Sequence, residues 1–327
     1  MKIFRSEQVR EIDAYTIENE PVASIDLMER AAMRLAGWYV RHFRTFRKVI
    51  LFAGPGNNGG DALAMARLLA GRQYRVECYL LTFGKLSKDC STNRTRLLEQ
   101  GLVDFKEVSG EDPLPVIGKN DVVVDGIFGS GLSRKVSGFP GRVIRHINQF
   151  SSCTIAIDIP SGLFGEDNRD NAYDQVINAA FTLTFQFPFL SFFFKDNAEK
   201  VGEWKVLDIR LHPDAIGNLS SVYQTLEGSS IRDLIPRRQV FSHKGTYGHA
   251  LLVSGCYGMM GAALMAGESC LRSGAGLVTL HVPRSGYQII QTGFPEAIVS
   301  LDQSDILFSE PPDLSPYSAV GVGPGVR

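Results

Sequence analysis

The chain opens with two stretches whose apolar residues recur three and four positions apart. Ser6 to Glu18 and Ser24 to Phe43 carry this rhythm, and in the second Leu27, Ala31, Leu35 and Trp38 form one stripe. The spacing predicts two amphipathic helices, each with a serine where its first turn would be capped. From residue 48 the rhythm changes. KVILFA (48–53) is a short, unbroken apolar run, the pattern of a strand buried on both faces of a parallel sheet. A glycine-rich turn and the helical stretch DALAMARLLAGR follow, then a strand in YRVECYLL (74–81) and a helix over 88–100. VDFKEV, DVVVDGIFG and CTIAIDIP, near 102–107, 121–129 and 153–160, predict three more strands, and 176–185 and 203–209 two further ones. This alternation predicts a doubly wound α/β sheet.

Residues 212–242 are mixed and polar, with clusters such as Asn218-Leu219-Ser220-Ser221 and Gly228-Ser229-Ser230, and a linker is expected at 216–242. After it the alternation restarts with HALLVSG, MMGAALMAGESCLRSG, GLVTLHVP and YSAVGVG. The expected division is a first domain over 1–215 and a second over 243–327. The second has about 85 residues, too few to bury both faces of a parallel sheet. It is expected to be cut short, or completed from outside the chain.

Composition narrows the function classes. Of 327 residues, 44% are hydrophobic and 21% charged, with a formal net charge of -1, so no global field favours nucleic acid or a membrane surface. The basic stretch Arg41 to Lys48 is short and reads as a solvated helix end. Five scattered cysteines with no C-x-x-C pair fit a reducing compartment, and the start MKIFRSEQVREID has no apolar targeting core. A cytoplasmic protein is expected. The most apolar stretch, AAFTLTFQFPFLSFFF (179–194), is interrupted by Thr, Gln, Pro and Ser and predicts a core strand with an aromatic loop rather than a membrane span. That loop would cover either a homo-oligomer interface or the sheet edge.

Three polar constellations follow predicted strands, where open parallel sheets bind ligands. They are Asn57-Asn58-Gly59-Gly60-Asp61, Asp125 to Gly131, and Asp158-Ile159-Pro160-Ser161-Gly162. Each alone reads as turn formers and helix caps; three in one sheet point to a shared cleft. Gly54, Gly56 and Gly59 match G-x-G-x-x-G, a dinucleotide-binding pattern. Three departures weigh against the usual pyrophosphate mode. Pro55 removes an amide donor, Asp61 puts negative charge where a helix start should meet phosphate, and the carboxylate expected about 20 residues on falls inside a strand, at Glu77. An amide, a carboxylate and a hydroxyl from Asn58, Asp125 and Ser161 suit either a weakly charged hard cation or a hydrogen-bond network tying loops together. Asp158, at the end of an apolar strand before a forced turn, is either an acid–base group with a raised pKa or an acceptor for loop amides.

Taken in order and spacing, GPGNNGGDALAMARLL, VVDGIFGSGL and IDIPSGL resemble the NAD(P)HX epimerase domain, the YjeF N-terminal family, over about residues 1–215. The stretch from 243 resembles the opening of the ADP/ATP-dependent NAD(P)HX dehydratase domain. The resemblance implies a Rossmann-like three-layer αβα domain followed by the first part of a ribokinase-like α/β domain. It implies a substrate too: NADH or NADPH hydrated at C6 of the nicotinamide ring, whose R and S forms the first domain interconverts. The second would dehydrate the S form using ADP or ATP with magnesium. Family roles fall on Asn57, Asn58, Gly59, Gly60, Asp61, Gly129, Ser130, Gly131, Leu132, Ser133, Arg134 and Lys135 as substrate-binding residues. Asn58, Asp125 and Ser161 would hold a potassium ion, and Asp158 would contact the hydrated ring as acid–base catalyst. Ala262, Gly323 and Gly325 would line the second domain's hydrate pocket, without dehydratase turnover expected from residues 243–327 alone. Ala62 departs from the family's usual glycine and raises the question of how closely substrate approaches the helix start. Two other readings stand beside this one: a non-catalytic binding module of the same fold, and an NAD(P)-dependent dehydrogenase.

Overall fold

Seven parallel strands make the sheet of the first of two compact units, Met1–Leu226 and Glu227–Arg327. They are β1 (Val49–Ala53), β2 (Val76–Leu81), β3 (Asp104–Val108), β4 (Val122–Gly126), β5 (Thr154–Ile157), β6 (Phe181–Phe185) and β7 (Glu203–Leu207), in the order β3-β2-β1-β4-β5-β6-β7. The computed structural model describes residues 1–20, 22–235 and 237–327. Pro236, within the expected linker, lies outside the described residues.

The apolar runs become central strands because both of their faces are covered. Val49, Leu51 and Ala53 point to one side, into a core shared with Leu35, Tyr39, Leu63 and Leu69; Ile50 and Phe52 point to the other, toward Val143, Ile144 and Ile147. The first group comes from α2 (Ser24–His42) and α3 (Asn57–Ala70), the second from α5 (Gly138–Phe150). With α4 (Lys88–Gln100) packed beside α3, the unit is a three-layer αβα sandwich. The first helix, α1 (Ser6–Asn19), belongs to a separate apolar cluster: Ile12 packs with Phe4, Leu27, Phe187, Ile209 and Leu211. Lys2–Ile3 pairs antiparallel with Tyr223–Gln224, which ties residues beyond β7 back to the N-terminus.

Several expectations need correction. Neither serine caps its helix, because both lie inside the first turn. Arg5 and Ala23 occupy the cap positions without a capping side-chain bond. Ser6 instead donates its amide and hydroxyl to Glu166 Oε1, at 2.7 and 3.0 Å, and the Ser24 hydroxyl donates to Asp89 at 2.5 Å. The helix expected from Asp61 begins at Asn57, with Gly56 as its cap, so Asp61 sits in the second turn. The strand expected over 176–185 is confined to Phe181–Phe185, because Ile177 turns its amide to the Ser161 carbonyl (2.9 Å) and buries its side chain beneath the sheet. Helix α5 was not foreseen: its first turn holds Gly138 and Pro140, where a proline is tolerated, and Val143, Ile144 and Ile147 supply the buried stripe. The basic stretch ends in Lys48, which is no solvated charge but pairs with Glu77 (3.2 Å) and Asp121 (3.3 Å).

The aromatic run covers its own unit. Phe187, Phe189 and Phe192 are buried, and Phe192 and Phe193 pack on Trp204 of β7. Among the described residues no helix is long and apolar enough to cross a membrane.

The second unit is a smaller parallel sheet of β8 (His249–Val253), β9 (Leu277–Val282), β10 (Ile298–Leu301) and β11 (Ala319–Val322), ordered β10-β9-β8-β11. Helices α6 (Met260–Arg272) and α7 (Tyr287–Gly293) bury Ala263 and Ile290 with Val278 and Leu280.

Candidate active site

The strand order reverses between β1 and β4, the switch point at which open α/β sheets leave a crevice beyond their C-terminal ends. The three polar constellations follow β1, β4 and β5, which are adjacent in the sheet. A cavity of about 600 Å³ opens there.

Glycines shape its floor by letting backbones approach. A Cβ on Gly59 would lie 1.7 Å from the Gly54 carbonyl oxygen, and one on Gly54 would lie 1.9 Å from that of Ile127. Two glycines of the G-x-G-x-x-G match are therefore used to seat α3 on the strand ends; Gly59 and Gly60 do not line the cavity. Asn57, Asn58 and Asp61 do. The loop after β4 contributes Gly129, Ser130, Gly131, Leu132, Ser133 and Arg134, whereas Lys135 lines an adjoining cavity of about 720 Å³ that shares Ser130, Leu132 and Ser133. Ala62 is fully buried outside the lining. Its methyl lies 2.6 Å from where a Cβ on Gly126 would stand, so this departure from the family pattern concerns the packing of α3 on β4, not substrate approach.

Asp158 sits just past β5 in a backbone conformation that L-residues seldom adopt, with φ 66. The Ile159 amide bonds to the Ile157 carbonyl across it at 2.8 Å, closing a three-residue turn. Its carboxylate accepts a hydrogen bond from the Ser130 amide at 3.1 Å and faces the cavity. Burial raises its pKa, against the lowering effect of the Ser130 and Phe185 hydrogen bonds. Two more carboxyls share the space. Asp61 is buried, and burial, with Asp158, Asp13 and Asp89 nearby, raises it well above the usual range. Asp13, from α1, is pushed up to about 7 by burial and then by Asp158. Val9, Arg10 and Asp13 lie on one face of α1, at three- and four-residue spacing, and form a wall of the cavity. Arg10, Lys85 and Arg134 are its cations, and none pairs with a carboxylate among the described residues.

Asp125 lies beneath this floor, completely buried. It accepts from the Ser161 hydroxyl (2.6 Å), the Ser161 amide (2.8 Å) and the Ile127 amide (3.2 Å). Burial nevertheless raises its pKa to about 6, because these bonds only partly offset desolvation. Asn58 does not join this network directly. Its Nδ2 donates to the carbonyls of Phe128 (2.8 Å) and Ile157 (3.3 Å), which leaves its Oδ1 buried without a partner. An unmet buried acceptor costs about 1–3 kcal/mol. An orphaned amide oxygen, a lone carboxylate, a hydroxyl and the Phe128 carbonyl are the oxygen set that a hard, weakly charged cation takes. The network and the cation set thus use the same residues.

In the second unit Ala262 and Gly325 meet: a Cβ on Gly325 would lie 3.2 Å from the Ala262 methyl. Gly323, with φ 98, bonds its amide to the Val253 carbonyl at the end of β8.

Sequence reasoning missed Val9, Arg10, Asp13, Phe83 and Lys85. The one usable signal was Asp13 itself, a carboxylate flanked by Val9, Ile12 and Thr16 on the inward face of an amphipathic helix. The dehydrogenase reading loses its ribose carboxylate, since Glu77 is held by Lys48 inside β2.

Comparisons with known proteins agree with this architecture. A family model described as YjeF-related protein N-terminus matches residues 24–190, and one described as NAD(P)H-hydrate dehydratase, a ribokinase-like domain, matches 250–327. A bifunctional NAD(P)H-hydrate repair enzyme of Moorella thermoacetica is 30% identical across this whole chain, which spans 64% of that relative. An NAD(P)H-hydrate epimerase of Oenococcus oeni is 35% identical over 63% of this chain and 96% of its own length. The fold matches a yeast protein's crystal structure with a TM-score of 0.56 at 18% identity, covering 70% of this chain and 98% of that one. Its first unit places this chain in the family of YjeF-related N-terminal domains.

Proposed function

We propose that the first unit interconverts the R and S epimers of NADH or NADPH hydrated at C6 of the nicotinamide ring. The observation that carries the reading is the Asp158 carboxyl, held at a strained strand end inside a switch-point cavity that also presents cations with no carboxylate partner among the described residues. Asp158 exchanges a proton with the C6 oxygen, and burial raises its pKa above the ordinary carboxylate value. Gly129 leaves room beside it: a Cβ there would lie 3.3 Å from Asn58 Cβ and 3.4 Å from Asp158 Oδ2, narrowing the corner that the ring enters. Ser130 to Arg134, with Asn57 and Asp61, surround the nucleotide, and Arg10, Lys85 and Arg134 meet its phosphates. The pyrophosphate is thus read by side chains, not by the glycine loop.

Asn58, Asp125 and Ser161 would hold a potassium ion, joined by the Phe128 carbonyl. Such an ion supplies positive charge that offsets Asp125 and fixes the three loops on one another. The second unit, by its likeness to the dehydratase family, would contribute Ala262, Gly323 and Gly325 to a site that removes water from the S epimer using ADP or ATP with magnesium, with no turnover proposed for residues 243–327 alone. The free cysteines support a cytoplasmic location.

Chromatography of R-enriched hydrated NADH tests the reading: the protein should speed relaxation of the R to S ratio above the spontaneous rate. No acceleration would favour a binding module of the same fold.

A further inference from the structure

Epimerisation at one carbon requires chemistry on both faces of the ring. A group that releases the C6 hydroxyl from one face and returns it to the same face exchanges oxygen without inverting the centre. The cavity has carboxyls on two walls. Asp158 rises from the strand-end floor, beside Asn58 and Gly129. Asp61 stands on α3, one turn beyond Asn58. Asp13 alone comes from the α1 wall, with Val9 and Arg10, and no described residue donates a hydrogen bond to its carboxyl or pairs with it. It is half-buried on the α1 face that also carries Val9 and Arg10, a costly place for a carboxylate with no partner among the described residues.

We propose that Asp13 is a second catalytic carboxyl, serving the face of the ring that Asp158 does not reach. The inference rests on the epimerase reading. In one direction, protonated Asp13 gives its proton to the C6 hydroxyl. The C6–O bond breaks, the ring nitrogen's electron pair forms a C6–N1 double bond, and water departs. A water on the other face then adds to C6; as the new C–O bond forms, the C6–N1 double bond's π pair returns to the ring nitrogen, and the water's proton passes to the Asp158 carboxylate. The net change is inversion at C6 and transfer of one proton between carboxyls, which solvent restores. The reverse direction exchanges the two roles. No electrons leave the ring and no co-reactant is consumed.

Exchange of the C6 hydroxyl with ¹⁸O-labelled water, measured by mass spectrometry on each separated epimer, distinguishes this from a structural role. Wild-type protein should label both epimers as it interconverts them. Asp13→Asn should lose about 100-fold or more in epimerisation while still labelling one epimer with retention, and Asp158→Asn should label the other. Because the ratio of exchange to inversion is read on each preparation, the folded fraction cancels. Epimerisation by Asp13→Asn at the wild-type rate, or loss of exchange and inversion in equal proportion, would overturn the assignment while the epimerase reading stands. Wild-type protein that speeds neither process would overturn the epimerase reading, and the assignment with it.

Discussion

The amide of Ser130 donates to the carboxylate of Asp158 across 3.1 Å, and so ties the loop after β4 to the strained end of β5. Asp158 is held at φ 66, an arrangement that costs about 1–3 kcal/mol in a non-glycine residue. The strain persists because it aims the carboxyl into the cavity. Asp158→Asn should retain the fold and lose about 10²–10⁴-fold in turnover. Asp158→Gly should lose as much and melt at a higher temperature, by relief of about 1 kcal/mol of strain. A glycine variant less stable than wild type would show that the turn is not strained.

The raised carboxyls fix the sign of the pH dependence. The Asp13 pKa lies near 7 in the folded state against an ordinary value of 3.8. The folded chain therefore holds a proton that the unfolded chain has lost, and this contribution to stability falls as pH rises from about 4 to 7. Thermal melts of Asp13→Asn should match wild type near pH 4 and exceed it at pH 8. A constant difference across that range would contradict the burial argument.

The orphaned Asn58 Oδ1 predicts a selective response to cations. Replacing choline chloride with potassium chloride at equal ionic strength should raise the melting temperature of the first unit by a few degrees. Asn58→Ala and Ser161→Ala should each abolish the increment. An equal response in both variants would leave the cluster as a hydrogen-bond network only.

Ala62 and Gly126 form a size pair across α3 and β4. Gly126→Ala brings two methyl carbons to 2.6 Å and should cost about 1–3 kcal/mol by overpacking. Ala62→Gly in the same chain should recover part of that loss, and a double-mutant cycle by denaturant unfolding measures the coupling. Strict additivity would contradict the contact.

What could be read from the sequence was whatever is local. The strands in KVILFA, DVVVDG and TIAI announce themselves because burial on both faces leaves no polar alternation, and the motifs stand directly at their ends. Asp13 could not be placed, since only the folded chain brings α1, some 45 residues before the Asn57 loop, to the same cavity. Lys85 was missed because it is one exposed lysine in a loop. The capping serines misled for a related reason: Glu166, 160 positions away, takes the bonds that Ser6 was expected to make within its own helix. The glycines misled in function but not in place, since Gly54 and Gly59 serve helix seating.

The most direct measurement starts from separately purified R and S hydrated NADH and follows each to equilibrium with wild-type protein, Asp158→Asn and buffer. The account predicts that wild type brings both to one ratio, with the same rate constant from either side, while Asp158→Asn falls close to buffer. Wild-type relaxation no faster than buffer would contradict it.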